Sequence, residues 1–201
     1  MTTIYYLPGN RGELHTGLGE ELLQRGFSLE GRETRGDFKK LPFAEQIECI
    51  ANDLQNRFWH KESLVVANSF GAYLFLHAQT LLPPFIGKVL LLSPVVGEAA
   101  DIEHMRFYVV PRSGKIHKMA DSATYPTPLC CEIHVGENDW QSDPEKVLAF
   151  ANPQGIKVTV VPDGEHLLGK NYVKSVLDQW LPSPTGRLIQ TEAGVCASVS
   201  N

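Results

Sequence analysis

Short apolar runs with little polar alternation recur along this chain, at residues 4–7, 64–66, 88–93, 129–135 and 156–161. A strand that is apolar on both sides belongs in a parallel sheet covered by helices on both faces. Between the runs, apolar residues return at helical spacing. Leu14, Leu18 and Leu22 form one such set, and Phe43, Ile47, Ile50, Leu54 and Phe58 a longer one. Val173, Val176, Leu177 and Trp180 form the last. With a further short strand at 27–30, this alternation predicts an α/β fold of about six mostly parallel strands with helices on both faces.

The 201 residues suffice for one domain with a substantial core. Residues 1–181 carry all the periodic elements and read as that domain. Residues 31–40 read as a charged loop. The stretch 94–128 is too long for an ordinary connection between a strand and a helix, so it reads as a cap-like insertion with its own task. Residues 182–201 hold few large apolar side chains and read as a C-terminal tail outside the core, a candidate for disorder. Asp143-Pro144 has the form of a helix N-cap and first-turn pair.

The net charge of −5 and a pI of about 5.8 supply no long-range attraction to nucleic acid or to anionic membranes. No apolar run approaches the length of a membrane span, and the N-terminus has no signal-peptide pattern, so a cytoplasmic protein is expected. Cys49, Cys130, Cys131 and Cys196 lack zinc-ligand spacing and read as buried or incidental thiols. The loop Pro8-Gly9-Asn10-Arg11-Gly12 follows the first strand, but neither glycine-rich phosphate-binding spacing is present, which argues against nucleotides. No cofactor and no metal is expected.

Residues 64–72, Leu-Val-Val-Ala-Asn-Ser-Phe-Gly-Ala, have the layout of a strand-to-helix nucleophile elbow. Such a turn needs small residues on either side of the serine, because strand and helix backbones almost touch there. Ala67 and Gly71 meet that need. The turn holds Ser69 in a strained conformation with its Oγ clear of the sheet, and leaves the Phe70 N–H free at a helix N-terminus. The pattern also arises by chance, and serine is a common helix N-cap.

The wider context favours the elbow. Ligands of open parallel sheets bind beyond the carboxyl ends of the strands, so the loops there share one neighbourhood. Ser69, Asp139 and His166 each follow a different strand, in the chain order of the hydrolase triad that accompanies such elbows. His166 would take the serine proton and return it to the leaving group, and Asp139 would orient the imidazole. Glu137, Asp143, Asp163 and Glu165 compete for the acid's role, although Asp143 is better explained as the N-cap. The oxyanion needs two donors: Phe70 N–H is one, and Asn10 N–H, with Arg11 as the near alternative, is the other.

These segments resemble the α/β-hydrolase superfamily: 67–71 at the elbow, Val135-Gly136-Glu137-Asn138-Asp139, and Gly164-Glu165-His166. The opening Leu7-Pro8-Gly9-Asn10-Arg11-Gly12 further resembles small serine hydrolases of the retinoblastoma-binding-protein type. The resemblance spans roughly residues 4–181. It implies a compact α/β-hydrolase fold lacking the first two strands, with residues 4–7 as the strand before the oxyanion loop. Two departures stand out: Ala67 occupies the usual first glycine of the elbow, and Pro8 the place of a frequent histidine.

The expected activity is hydrolysis of a small ester, thioester or amide, with a small-molecule acyl substrate and no nucleic-acid or membrane partner. Met105 and Tyr108 in the insertion, and Trp140 beside Asp139, are candidate substrate contacts. Packing of the insertion onto the domain accounts for such residues equally well. The alternative function is a hydrolase-fold binding protein with weak or absent turnover, using 94–128 as its partner surface.

Overall fold

The computed structural model describes residues 2–182; the tail inferred from the sequence therefore lies almost wholly outside the described residues. The first strand is β1 (Thr3–Leu7), followed by α1 (Leu18–Gln24), β2 (Ser28–Gly31), α2 (Gly36–Lys40) and α3 (Phe43–Arg57). The middle of the chain holds β3 (Leu64–Asn68), α4 (Phe70–Gln79), β4 (Lys88–Leu92), β5 (Ala99–Asp101), β6 (Arg106–Tyr108) and α5 (Lys115–Asp121). It ends with β7 (Cys130–Gly136), α6 (Pro144–Ala151), β8 (Lys157–Val161) and α7 (Lys170–Trp180).

Six strands form one sheet in the order β2-β1-β3-β4-β7-β8, and every neighbouring pair is parallel. Alternate residues of each strand face opposite sides. Tyr5, Leu7, Val65, Val89, Leu91 and Ile133 thus join the core shared with α3, α4 and α6. Ile4, Tyr6, Leu64, Val66, Leu90 and Leu92 join a smaller core with Leu22 of α1 and Val176, Leu177 and Trp180 of α7. This is an α/β-hydrolase fold, with helices on both faces as the periodicity predicts.

The stretch 31–40 is more ordered than the expected loop, since it ends in α2. That helix has no buried residue, so no apolar period announced it. The insertion is a two-stranded antiparallel hairpin, β5 paired with β6, followed by α5. Tyr73 Oη donates to Pro111 O at 2.6 Å, and Lys146 Nζ donates to Glu98 O at 2.8 Å; these bonds fasten the insertion to α4 and α6. Asp143 caps α6 by accepting the Glu145 N–H at 3.0 Å.

Candidate active site

Strand order reverses between β1 and β3, and the crevice beyond their carboxyl ends is where an open sheet of this kind receives ligands. Ser69 occupies the turn from β3 into α4 at φ 51° and ψ −121°, a conformation that costs a side-chain-bearing residue about 1–3 kcal/mol. The surroundings enforce it. The Ser69 N–H donates to Leu92 O at 3.0 Å, and Ser69 O accepts from the Tyr73 and Val95 N–H groups. A Cβ at Gly71 would come within 2.2 Å of Leu7 O and 2.4 Å of Pro8 O, so only glycine lets α4 start this close to β1.

Ser69 Oγ lies 2.8 Å from His166 Nε2. On the other side of the ring, His166 Nδ1 is 2.9 Å from both Asp139 Oδ1 and Asp139 Oδ2. Asp139 is 1% exposed, and its Oδ1 also accepts the N–H groups of Gln141 at 3.0 Å and Ser142 at 2.9 Å. The two loops that bring acid and base together are interlocked. Glu137 N–H donates to Val161 O, and Asn138 N–H to Gly164 O at 2.7 Å. A Cβ at Gly136 would lie 2.4 Å from Gly164 O, so this glycine permits the contact.

Of the competing acids, none takes the histidine. Glu137 Oε2 accepts the Asp163 N–H at 3.0 Å, which ties its own loop, and Asp143 is the helix cap. Ser142 is a residue the sequence did not single out. It is fully buried; its Oγ donates to Ser93 O at 2.6 Å and lies 3.5 Å from His166 Nδ1. Only its position three residues past the acid could have suggested it.

The loop after β1 passes directly over the serine: a Cβ on Gly9 would be 3.3 Å from Ser69 Cβ. Asn10 lines the cleft above Ser69, and its Oδ1 accepts from Lys39 Nζ at 3.0 Å. Arg11 is a correction to the sequence reading, because its N–H donates to Thr34 O at 3.2 Å and is committed to the loop's own frame. Thr34 sets that frame. Buried at 2% exposure, its Oγ1 donates to Gly9 O and accepts the Gly12 N–H at 2.9 Å, while its own N–H donates to Gly12 O.

A cleft of about 540 Å³ opens from Ser69 and His166. Tyr6 and Leu92 of the sheet form part of its lining, together with Leu18 of α1, Leu168, and Val173 of α7. Burial pushes the Tyr6 phenol well above its ordinary range, so it keeps its proton and donates to Asn68 Oδ1 at 3.1 Å. Met105, Tyr108 and Trp140 are not among the residues lining the cleft. Met105 is 79% exposed in the hairpin turn, Tyr108 packs on the larger core, and Trp140 lies under the Arg106 guanidinium at 4.8 Å. Among the described residues, no group of three or more His, Cys, Asp or Glu side chains is placed to hold a metal ion.

The parallel sheet thus brings together a strained serine after β3, a buried acid after β7 and a histidine after β8, in the chain order of a nucleophile-elbow triad. Solved structures agree on the fold. The ydeN gene product from B. subtilis superimposes with a TM-score of 0.61 at 13% identity, covering 89% of this chain and 98% of that one. The monoacylglycerol lipase of Paleococcus ferrophilus gives 0.60 at 12% identity, covering 88% and 93%. Mouse alpha/beta hydrolase domain-containing protein 10 gives 0.55 at 13%, covering 88% and 90%. No family model matches the sequence, and no curated protein matches it.

Proposed function

We propose that this protein is a serine hydrolase that cleaves a small ester, thioester or amide through an acyl-enzyme on Ser69. The observation that carries this reading is the unbroken line from Ser69 Oγ to His166 Nε2 at 2.8 Å and from His166 Nδ1 to Asp139 at 2.9 Å. In the first half-reaction His166 takes the hydroxyl proton as Oγ attacks the carbonyl carbon. It then gives that proton to the departing alcohol, thiol or amine. In the second, water loses a proton to His166 and attacks the acyl-enzyme, releasing the acid and restoring Ser69. The N–H groups of Phe70 and Asn10 serve as oxyanion donors, each worth roughly 10²–10³ in rate for sites of this kind.

The structural neighbours include a monoacylglycerol lipase, which supports acyl chemistry on this fold. The closer likeness to the retinoblastoma-binding-protein type rests on the opening loop and the small size of the chain. The test is labelling of wild-type and Ser69→Ala protein with a small fluorophosphonate, followed by peptide mapping. Label on Ser69 that also depends on His166 supports an activated nucleophile, and a folded wild-type protein that stays unlabelled would overturn the reading.

A second reading has one observation in its favour. Ile102, Met105, Phe107 and Val109 of the insertion are all at least 65% exposed, and apolar side chains exposed together on one element are the usual mark of an interaction site. A binding role through that hairpin predicts a partner lost on Phe107→Ser and indifferent to Ser69→Ala.

A further inference from the structure

The cleft beside Ser69 extends away from the insertion. From the serine it reaches α1 and the start of α7, and along α1 it touches Gly17, Glu20, Glu21 and Gln24, the residues of one helical face. Seven residue steps along a helix span about 10 Å, the length of an extended octanoyl chain. Leu18, Leu168 and Val173 flank this path and are only partly buried although they pack against the smaller core, so they present apolar surface to whatever occupies it.

Most of the charged groups along the path already have partners; Lys170, which also lines the cleft, is the exception among the described residues. Glu21 holds Arg25 at 3.0 Å and Lys174 at 3.6 Å, Glu13 is paired with Arg35, and Glu20 accepts from Gln24 at 3.2 Å. Apart from a pairing with Lys170, a charged substrate tail would have to compete with these contacts, whereas an uncharged chain leaves them in place. The volume of about 540 Å³ falls in the usual range for a small-molecule site.

Resting on the serine-hydrolase reading, we infer that the α1–α7 cleft, and not the 94–128 insertion, receives the longer arm of the substrate, an uncharged aliphatic chain of medium length. Leu18, Leu168 and Val173 are then the residues that determine specificity. Burial of each methylene in such a slot raises kcat/KM by roughly two- to fourfold, the gain expected for a partly to fully buried CH₂.

The experiment compares two ester series, one lengthened on the acyl side and one on the alcohol side, from two to twelve carbons. In one series kcat/KM is expected to rise by on the order of a hundredfold and then level off. Val173→Trp, which fills the slot, is expected to lower the long-to-short ratio at least ~10-fold, and Val173→Ala to move the levelling point to longer chains. The double variant Met105→Ser/Phe107→Ser is expected to leave the ratio unchanged. A ratio near one in both series, or a ratio that follows the hairpin and ignores Val173, overturns this inference while labelling of Ser69 by the small fluorophosphonate keeps the hydrolase reading intact. Failure of that labelling on folded protein overturns both.

Discussion

His166 Nδ1 sits equidistant, at 2.9 Å, from the two carboxylate oxygens of Asp139, and one of those oxygens also receives two backbone N–H groups. The carboxylate is therefore locked from behind while it faces the ring in front. This fixes which histidine nitrogen carries hydrogen: Nδ1 must donate, so Nε2 is free to accept from Ser69.

That relationship predicts the outcome of Asp139→Asn. The retained amide oxygen is held by the Gln141 and Ser142 N–H groups, which turns the new NH₂ toward His166. The ring must then accept at Nδ1 and carry its hydrogen on Nε2, the tautomer that cannot take the serine proton. Steady-state kinetics should show kcat lowered by about 10⁴-fold with KM little changed. A loss of less than about tenfold would mean that the acid does not set the tautomer.

Thr34 is expected to act on the rate from a distance. Its hydroxyl bonds to Gly9 O and receives the Gly12 N–H, so Thr34→Val removes two bonds from the Pro8-to-Gly12 loop and leaves Gly9 O and the Gly12 N–H only their bond to each other. The cost to stability is about 1–3 kcal/mol, read from urea unfolding. The Asn10 N–H loses its placement as well, and kcat should fall further than KM rises. Thr34→Ser, which keeps the hydroxyl, should restore most of the rate; a variant pair with equal rates would reduce Thr34 to a stability residue.

Much of the candidate site is legible in the sequence because the residues proposed to carry the chemistry lie immediately after strands. Ser69, Asp139 and His166 each follow an apolar run whose end the sequence marks, and parallel topology gathers strand ends at one edge. Thr34 and Ser142 were not legible, because their roles depend on backbone groups of other loops that no spacing encodes. The cleft was hidden for a related reason. It exists only where α1 and α7 fail to close over the sheet, and Leu18 and Val173 read simply as core positions of their helices. Met105 and Tyr108 drew attention by being apolar in a long insertion, but β5 and β6 turn Met105 to solvent and Tyr108 onto the core.

The strain at Ser69 is open to direct measurement. At φ 51° and ψ −121° an alanine keeps the conformational penalty and a glycine does not. Ser69→Gly should be more stable than Ser69→Ala by about 1 kcal/mol, after the greater chain entropy of unfolded glycine is subtracted. Both lack the hydroxyl, so the comparison isolates the backbone. Equal stability of the two would indicate that the elbow stores no strain.

The last prediction concerns acid stability and involves His77 of α4. Its ring is buried between Tyr73 at 4.4 Å and Phe43 at 5.1 Å, and neither ring nitrogen has a hydrogen-bond partner. Burial, reinforced by the positive charges of Lys115 and Arg112, lowers its pKa to about 3. The native state therefore keeps His77 neutral at pH values where the unfolded chain, titrating near 6.5, has already bound a proton. Between about pH 6.5 and 3 the unfolded state holds more protons, so stability falls as pH falls through that window and is flat above it. The loss attributable to this residue is on the order of a few kcal/mol. His117 and His134, both depressed mainly by burial, add to the slope with the same sign. The test is thus a difference. Urea midpoints measured at pH 7, 5.5 and 4.5 should decline less steeply in His77→Phe than in the wild type. Parallel declines would mean that His77 finds a partner or water when protonated and that the acid sensitivity lies with the other two histidines.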